Sequence, residues 1–290
     1  MTSDNGSVVD TRARALGAPE TCPQDAGLTE LSAELRRMAE ERDALRRLAD
    51  ERTAALEAVD RLEEEFIAVA SHDLRGPLTA IIGYAQFLNR YVGGSAPDLG
   101  QVADGLVQIH TRATAMARML DDLLDVSRIQ AGAFEPRTAP CDLGACLVTV
   151  LDRLSVDEHE RIDVTPADAP LVGQWEQTRI EQVLANLVDN ALKYSPTGGR
   201  VSIVVVRHVA EIIVAVSDRG IGIPAAELPR LFERFYRTPQ AHASGLAGTG
   251  LGLYICRGII AAHGGRLWAE SPGEGRGATF RFTLPAPPIL

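Results

Sequence analysis

The chain has 290 residues, 46% of them hydrophobic and 23% charged, with a formal net charge of −10. That gives room for one large or two ordinary folded domains, and an acidic balance without a basic tail argues against a nucleic-acid binder. Four scattered cysteines (Cys22, Cys141, Cys146, Cys256) show neither paired zinc spacing nor a disulfide framework, and no stretch approaches the roughly 18 apolar residues of a membrane span, so a soluble protein of the reducing cytoplasm is expected.

Residues 1–27 carry Gly, Pro and Asp with little periodicity and read as a disordered leader, without the apolar core of a signal peptide. From Leu28 the pattern changes: Leu28, Leu31, Leu35, Met38, Arg42 and Leu45 follow a 3–4 spacing, and Leu48, Arg52, Ala55, Val59, Leu62 and Phe66 continue it one phase over. Glu and Arg fill the outer positions and Gly and Pro are absent, which predicts a coiled-coil signalling helix over 28–62 with one register break. Such a helix requires a partner, and a parallel homodimer is expected.

Residues 63–132 predict a helical hairpin. Phe66, Ala70, Leu74, Ile81, Ala85 and Leu88 form an apolar seam in the first helix, and Leu99, Val102, Leu106, Ile109, Ala113, Met116, Leu120 and Leu123 form one in the second. The turn between them is read at Val92–Pro97, and two such hairpins make a four-helix bundle. His72 stands about 200° from both Ala70 and Leu74 on a helical wheel, facing away from the seam, with Asp73 beside it. An exposed imidazole next to a carboxylate is a candidate nucleophile. Gly76-Pro77 should kink or loosen the helix just beyond it.

Residues 133–140 (AFEPRTAP) read as a linker, and 141–286 have a mixed pattern. Helices are predicted over 142–154, 177–194 and 251–263, and strands over 161–165, 171–172, 201–207, 211–217, 265–270 and 278–284. A sheet with helices on one face, an α/β sandwich, accounts for this order. The fold class is therefore α plus α/β: a long coiled coil, a dimeric four-helix bundle, then the sandwich.

Four local features in the C-terminal half suit a nucleotide. Asn186, Asn190 and Lys193 lie at spacings of four and three on one helical face, where amide oxygens would meet Mg²⁺ and the ammonium a phosphate. Asp218-Arg-Gly220-Ile-Gly222 follows a strand and places a carboxylate beside close-approaching backbone, suited to an adenine amino group. Leu231-Phe232-Glu-Arg-Phe235-Tyr236 anchors a loop poor in apolar residues, as a lid requires. Gly248-Thr-Gly250-Leu-Gly252 leads into a helix, where bare N–H groups and the helix dipole favour phosphate. Each alone has a bland reading as a polar stripe, a tight turn or a loop.

In this order the features resemble the sensor histidine kinases of bacterial two-component systems, over roughly residues 60–286. SHDLRGPL, with His72, resembles the H-box; Asn186, Asn190, Lys193 and Tyr194 the N-box; Asp218, Gly220 and Gly222 the G1 box; Phe232 and Phe235 the F-box; and Gly248, Gly250 and Gly252 the G2 box. The resemblance implies a Bergerat-type ATP-binding fold shared with gyrase and Hsp90. It also implies ATP-dependent phosphorylation of His72 with Asp73 as acid–base partner, Mg²⁺ held by Asn190, and transfer to an aspartate of a response regulator. An ATP-binding scaffold, or a serine kinase on the same nucleotide fold, are the competing readings; the hairpin with its H-box speaks against both. Gly76 stands four residues after His72, where many relatives carry Thr or Asn to position water, so phosphatase activity is expected to be weak. The sequence names no input, which leaves a separate sensory partner open.

Overall fold

A computed structural model describes residues 23–92, 98–165, 167, 169–195, 198–246 and 248–287; side chains are described from Glu34 onward, excluding 39, 44, 50, 51 and 54–73. Residues 1–22 of the expected leader and residues 93–97 of the expected turn at 92–97 lie outside the described residues. The chain divides into two units, 1–69 and 70–290.

The first unit contributes the N-terminal part of helix α1 (Pro23–Val92). Proline lacks the N–H that a first helical turn leaves unbonded anyway, and the helix opens there, so residues 23–27 are helical rather than part of a leader. Leu35, Met38, Leu45 and Leu48 are exposed along it. An apolar stripe in water with no cover within one chain is what a coiled-coil seam leaves unsatisfied.

In the second unit α1 continues to Val92, and helix α2 (Leu99–Gln130) returns. Asp98 caps α2 by accepting from the Gly100 N–H at 2.8 Å. Leu88 is buried, and a Cβ on Gly105 would press into it, so a bare residue sets the helix approach. The helix runs on through Gly76-Pro77 to Val92, as its apolar seam predicts, with the Thr79 hydroxyl donating to the Arg75 carbonyl at 2.8 Å. Leu78, Ile82, Phe87, Leu99, Leu106, Leu120 and Leu124 stay exposed, so the hairpin does not cover its own apolar surface.

The expected linker is shorter than 133–140, because strand β1 (Ala139–Asp142) already pairs antiparallel with β3 (Val172–Trp175). Asp142 then caps α3 (Leu143–Leu151), and a Ser155–Glu158 capping box starts the short α4 (Val156–His159), which periodicity alone does not reveal. The main sheet contains β2 (Ile162–Thr165), β4 (Val201–Arg207), β5 (Glu211–Ser217), β6 (Leu267–Glu270) and β7 (Thr279–Pro285), in the order β2-β4-β5-β7-β6. Only β2–β4 is parallel.

Helices α5 (Gln177–Lys193) and α7 (Gly252–Ala262) pack side by side on one face of this sheet, with α3 against α5. The core follows directly from alternation. Ile180, Val183, Leu184, Leu187 and Val188 of α5 meet Val201, Ile203, Val205, Ile212, Val214 and Phe282 from the strands, all buried. His263 ties α7 to α5: its Nδ1 stands 2.8 Å from the Ile259 carbonyl and its Nε2 accepts the Glu176 N–H at 3.0 Å, which fixes the tautomer with the proton on Nδ1. Cys141 and Cys146, unpaired by sequence spacing, bring their sulfurs to 3.4 Å, and burial raises both thiols above the ordinary cysteine range.

Trp175 is buried, and its indole N–H donates to the Pro285 carbonyl at 3.0 Å. A Cβ on Gly173 would collide with that ring. Gly173→Ala should therefore cost about 1–3 kcal/mol by overpacking, read as a lower urea midpoint followed by tryptophan fluorescence.

Candidate functional site

One helix, α5, supplies the wall on which the site is built. Its apolar stripe faces the sheet, so the opposite spacing, Arg179, Gln182, Asn186, Asn190 and Lys193, is turned away from the core. Its C-terminal half opens on a cavity of about 220 Å³. Asn186, Asn190, Lys193 and Tyr194 line it from α5, Asp218 and Gly222 from the turn after β5, and Gly248, Gly250 and Gly252 from the segment entering α7. Of the residues expected from sequence, Gly220, Phe232 and Phe235 do not line the cavity; Gly220 lies against the Tyr194 carbonyl, Phe235 against Gly250, and Phe232 is buried.

Asp218 sits at the end of β5, half-buried, accepting from the Gly220 N–H at 2.8 Å. Burial raises its pKa, and the Gly220 and Ala278 backbone hydrogen bonds oppose that rise. The cavity that Asp218 lines also has the apolar side chains of Ile221, Ile223, Leu231, Ala278 and Phe280 in its wall. A Cβ on Gly220 would strike the Tyr194 carbonyl, and one on Gly277 the Asp218 carbonyl. The Gly-rich turn before β7 backs this corner: the Gly275 N–H donates to the Ile221 carbonyl at 2.7 Å and the Gly277 N–H to the Gly220 carbonyl at 3.2 Å.

The expected lid holds more structure than its composition suggested. A 3₁₀ turn (Leu228–Arg230) leads to buried Leu231 and Phe232, and Phe235 adopts a positive φ of 59°. Thr238 then caps a five-residue helix, α6 (Pro239–Ala243), with Pro239 at its first position. Arg237 donates to the carbonyls of Ala241 and Leu246, while its Nε finds no hydrogen-bond partner at the cavity. Gly250, at φ 72°, lies so close to the Phe235 backbone that any side chain would collide; Gly252 lies against Asn186, and Gly248 against the Lys193 ammonium. Bare backbone at the N-terminus of α7 faces a cation and two amides, an arrangement suited to phosphate.

Asp122, from α2 of the hairpin, lines the same cavity, and sequence reasoning missed it. It arrives because α2 is clamped to α5. Arg179 Nη1 donates to Asp125 Oδ2 at 2.5 Å, and Gln182 Nε2 donates to the same oxygen at 3.1 Å. Asp125 is buried. Removing one partner of such a pair typically costs about 3–5 kcal/mol, because the other charge stays buried. Ile129 packs where a Cβ on Gly258 of α7 would stand. The segment after α2 is tied down as well: the Arg179 guanidinium lies 5.2 Å from the Phe134 ring centre, and Glu176 accepts the Arg137 N–H at 2.8 Å.

His72 and Asp73 lie within α1, but their side chains are outside the described residues, so the expected outward orientation of the imidazole is not addressed by the structure.

Comparison with known proteins fits this layout. The His Kinase A (phospho-acceptor) domain matches residues 62–132. The histidine kinase-, DNA gyrase B- and HSP90-like ATPase domain matches residues 175–288. The chain is similar to the sensor histidine kinase WalK of Bacillus subtilis, 35% identical over 234 residues, covering 79% of this chain and 38% of that protein. It is also similar to the sensor protein SrrB of Staphylococcus aureus, 30% identical over 235 residues, covering 79% of this chain and 39% of that protein. The chain thus spans about four tenths of the length of these curated relatives. Among solved structures it resembles full-length ShkA in complex with AMPPNP, at 26% identity and a TM-score of 0.55, covering 78% of this chain and 46% of that one.

Burial, then the charges of Asp125 and Asp121, push Asp122 from 3.8 up to about 6. The folded state therefore holds this proton more tightly than the unfolded chain, and stability falls as pH rises through that interval. Asp122→Asn should raise the urea midpoint at pH 8, and the difference from the unsubstituted protein should vanish by about pH 4.

Proposed function

The chain belongs to the sensor histidine kinases of bacterial two-component systems, and from that premise we propose that it transfers the γ-phosphoryl group of ATP to His72 and then to an aspartate of a response regulator. The observation that carries the proposal is the cavity on α5, where two amides, an ammonium and glycine-exposed N–H groups converge at one end and Asp218 shares the wall with apolar side chains. That donor set fits a nucleotide from base to phosphates.

Asp218 accepts from the adenine amino group, and the apolar side chains of the cavity wall exclude water from the base. Lys193, with the N–H groups of Gly248 to Gly252, holds the phosphates. Asn190, with Asn186 supporting it, would hold a magnesium ion through its amide oxygen, and that ion would supply charge neutralisation at the phosphates. Phe232 and Phe235 fix one end of the lid, and α6 stiffens the middle of it. Tyr194, 4.9 Å from the Lys193 ammonium by its ring centre, holds that side chain at the cavity edge.

At His72 a neutral ring nitrogen attacks phosphorus in line, the bond from phosphorus to the bridging oxygen breaks, and ADP leaves. Asp73 takes the proton from the ring's other nitrogen and keeps the imidazole in its attacking form. An aspartate of the regulator then takes the phosphoryl group. The solved histidine kinase ThkA in complex with the response regulator protein TrrA, 26% identical with a TM-score of 0.52 over 76% of this chain and 61% of that one, supports the regulator as partner. The uncovered leucines of the hairpin and of the N-terminal helix support a homodimer. Among the described residues no helix is long and apolar enough to cross a membrane; action in the cytoplasm, where ATP is found, belongs to the same proposal, as does a separate partner that supplies the signal.

Incubated with γ-labelled ATP, the protein should acquire an acid-labile, base-stable label that His72→Gln abolishes; a label that survives this substitution contradicts the assignment. Because Gly76 offers no side chain to orient a hydrolytic water, the His72→Gln protein should speed loss of phosphate from the regulator by less than about tenfold over spontaneous decay. Gly76→Thr, measured in the same assay, should raise that rate.

A further inference from the structure

The hairpin reaches into the nucleotide cavity. Arg118, Asp122, Asp125 and Ile129 of α2 follow a 4-3-4 spacing, one face of a helix. Each meets a residue of the ATPase domain or its cavity: Arg118 acts electrostatically on Asp189, Asp122 shares the cavity with Asn186 and Asn190, Asp125 is bonded by Gln182 and Arg179, and Ile129 packs at Gly258. As α2 advances from 118 to 125, its partners on α5 retreat from 189 to 179, so the two helices run antiparallel with matched stripes. Of the four acidic residues on α2, Asp104, Asp121, Asp122 and Asp125, Asp125 is bonded by the clamp and Asp122 is the one that lines the cavity.

We propose that Asp122, carried into the cavity by the Asp125 clamp, sets nucleotide affinity, so that docking of α2 on α5 and binding of a nucleoside triphosphate oppose one another. This rests on the nucleotide reading of the cavity. Asp122 stands with Lys193 of α5 and Arg237 of the lid, the two cations of the cavity lining, and with Asn186, Asn190 and Thr249; Cys256 of α7 and Asp121 and Asp125 of α2 are its other titratable neighbours. A carboxylate at this end offsets one of the two positive charges that would receive a triphosphate. By linkage the same free energy appears twice: the docked hairpin weakens the nucleotide, and the nucleotide weakens docking. Asp125 is the positioning residue of the device, since it touches no part of the cavity and acts through the placement of Asp122.

The test is calorimetric titration of ATP into the full chain in EDTA, where no cation can bridge the carboxylate to the phosphates. Asp122→Asn should bind ATP about tenfold tighter than the unsubstituted protein. Asp125→Asn should also bind tighter, and adding Asp122→Asn to it should change affinity less than about twofold, because the carboxylate is already withdrawn. Ile129→Asp, which opposes docking through α7 without touching the clamp, should reproduce the Asp125→Asn result. Unchanged affinity in Asp122→Asn overturns the proposal. So does unchanged affinity in EDTA combined with weaker binding in magnesium, which would make Asp122 a cation ligand, and so do fully additive effects in the double variant. Absence of ATP binding in every protein, with and without magnesium, overturns the nucleotide reading itself.

Discussion

The rest of the molecule depends on a single helix having to face two ways. Helix α5 buries Ile180, Val183, Leu184, Leu187 and Val188 against the sheet, which forces Arg179, Gln182, Asn186, Asn190 and Lys193 outward along the other side. The C-terminal members of that stripe floor the cavity; the N-terminal members hold the hairpin. Packing therefore aligns the chemistry: a substitution that rotated α5 to repair its core would withdraw the amides, the ammonium and the clamp together.

The second consequence is that the cavity is walled by elements remote in sequence. Asp218 is placed by β5, the corner behind it by the turn at 271–277, the lid by Phe232 and α6, and one acidic side chain by α2. Glycines mark the points where these elements come too close for a side chain. Gly220 lies against the Tyr194 carbonyl and Gly250 against the Phe235 backbone, so contact with the end of α5 and with the lid adds to the turns in positioning the G1 and G2 segments.

Much of this was legible in the sequence. The strands at 201–207 and 211–217 match their expected bounds because both are runs of β-branched residues bounded by turn residues, with buried positions alternating along the first and Val214 to Val216 buried in succession in the second. Helix α5 was visible in its apolar spacing, and nine expected residues do line the cavity because helical spacing and glycine-rich turns are local signals. What sequence reasoning missed is long-range or masked by a louder local cue. Helix α6 is one turn and a half inside a polar loop, started by Thr238 and Pro239. The linker looked free because Phe134 and Arg137 find Arg179 and Glu176 only after folding. Asp122 is one of four acidic residues on α2, and only the docking of that helix selects it.

The central claim is that one face of α5 serves the nucleotide and the hairpin at once. Amide hydrogen exchange of residues 118–130, followed by mass spectrometry on the full chain with and without ATP in EDTA, reads it directly. The account predicts that nucleotide increases exchange in this part of α2 by loosening its hold on α5. Unchanged or slower exchange there, with ATP demonstrably bound, would contradict it.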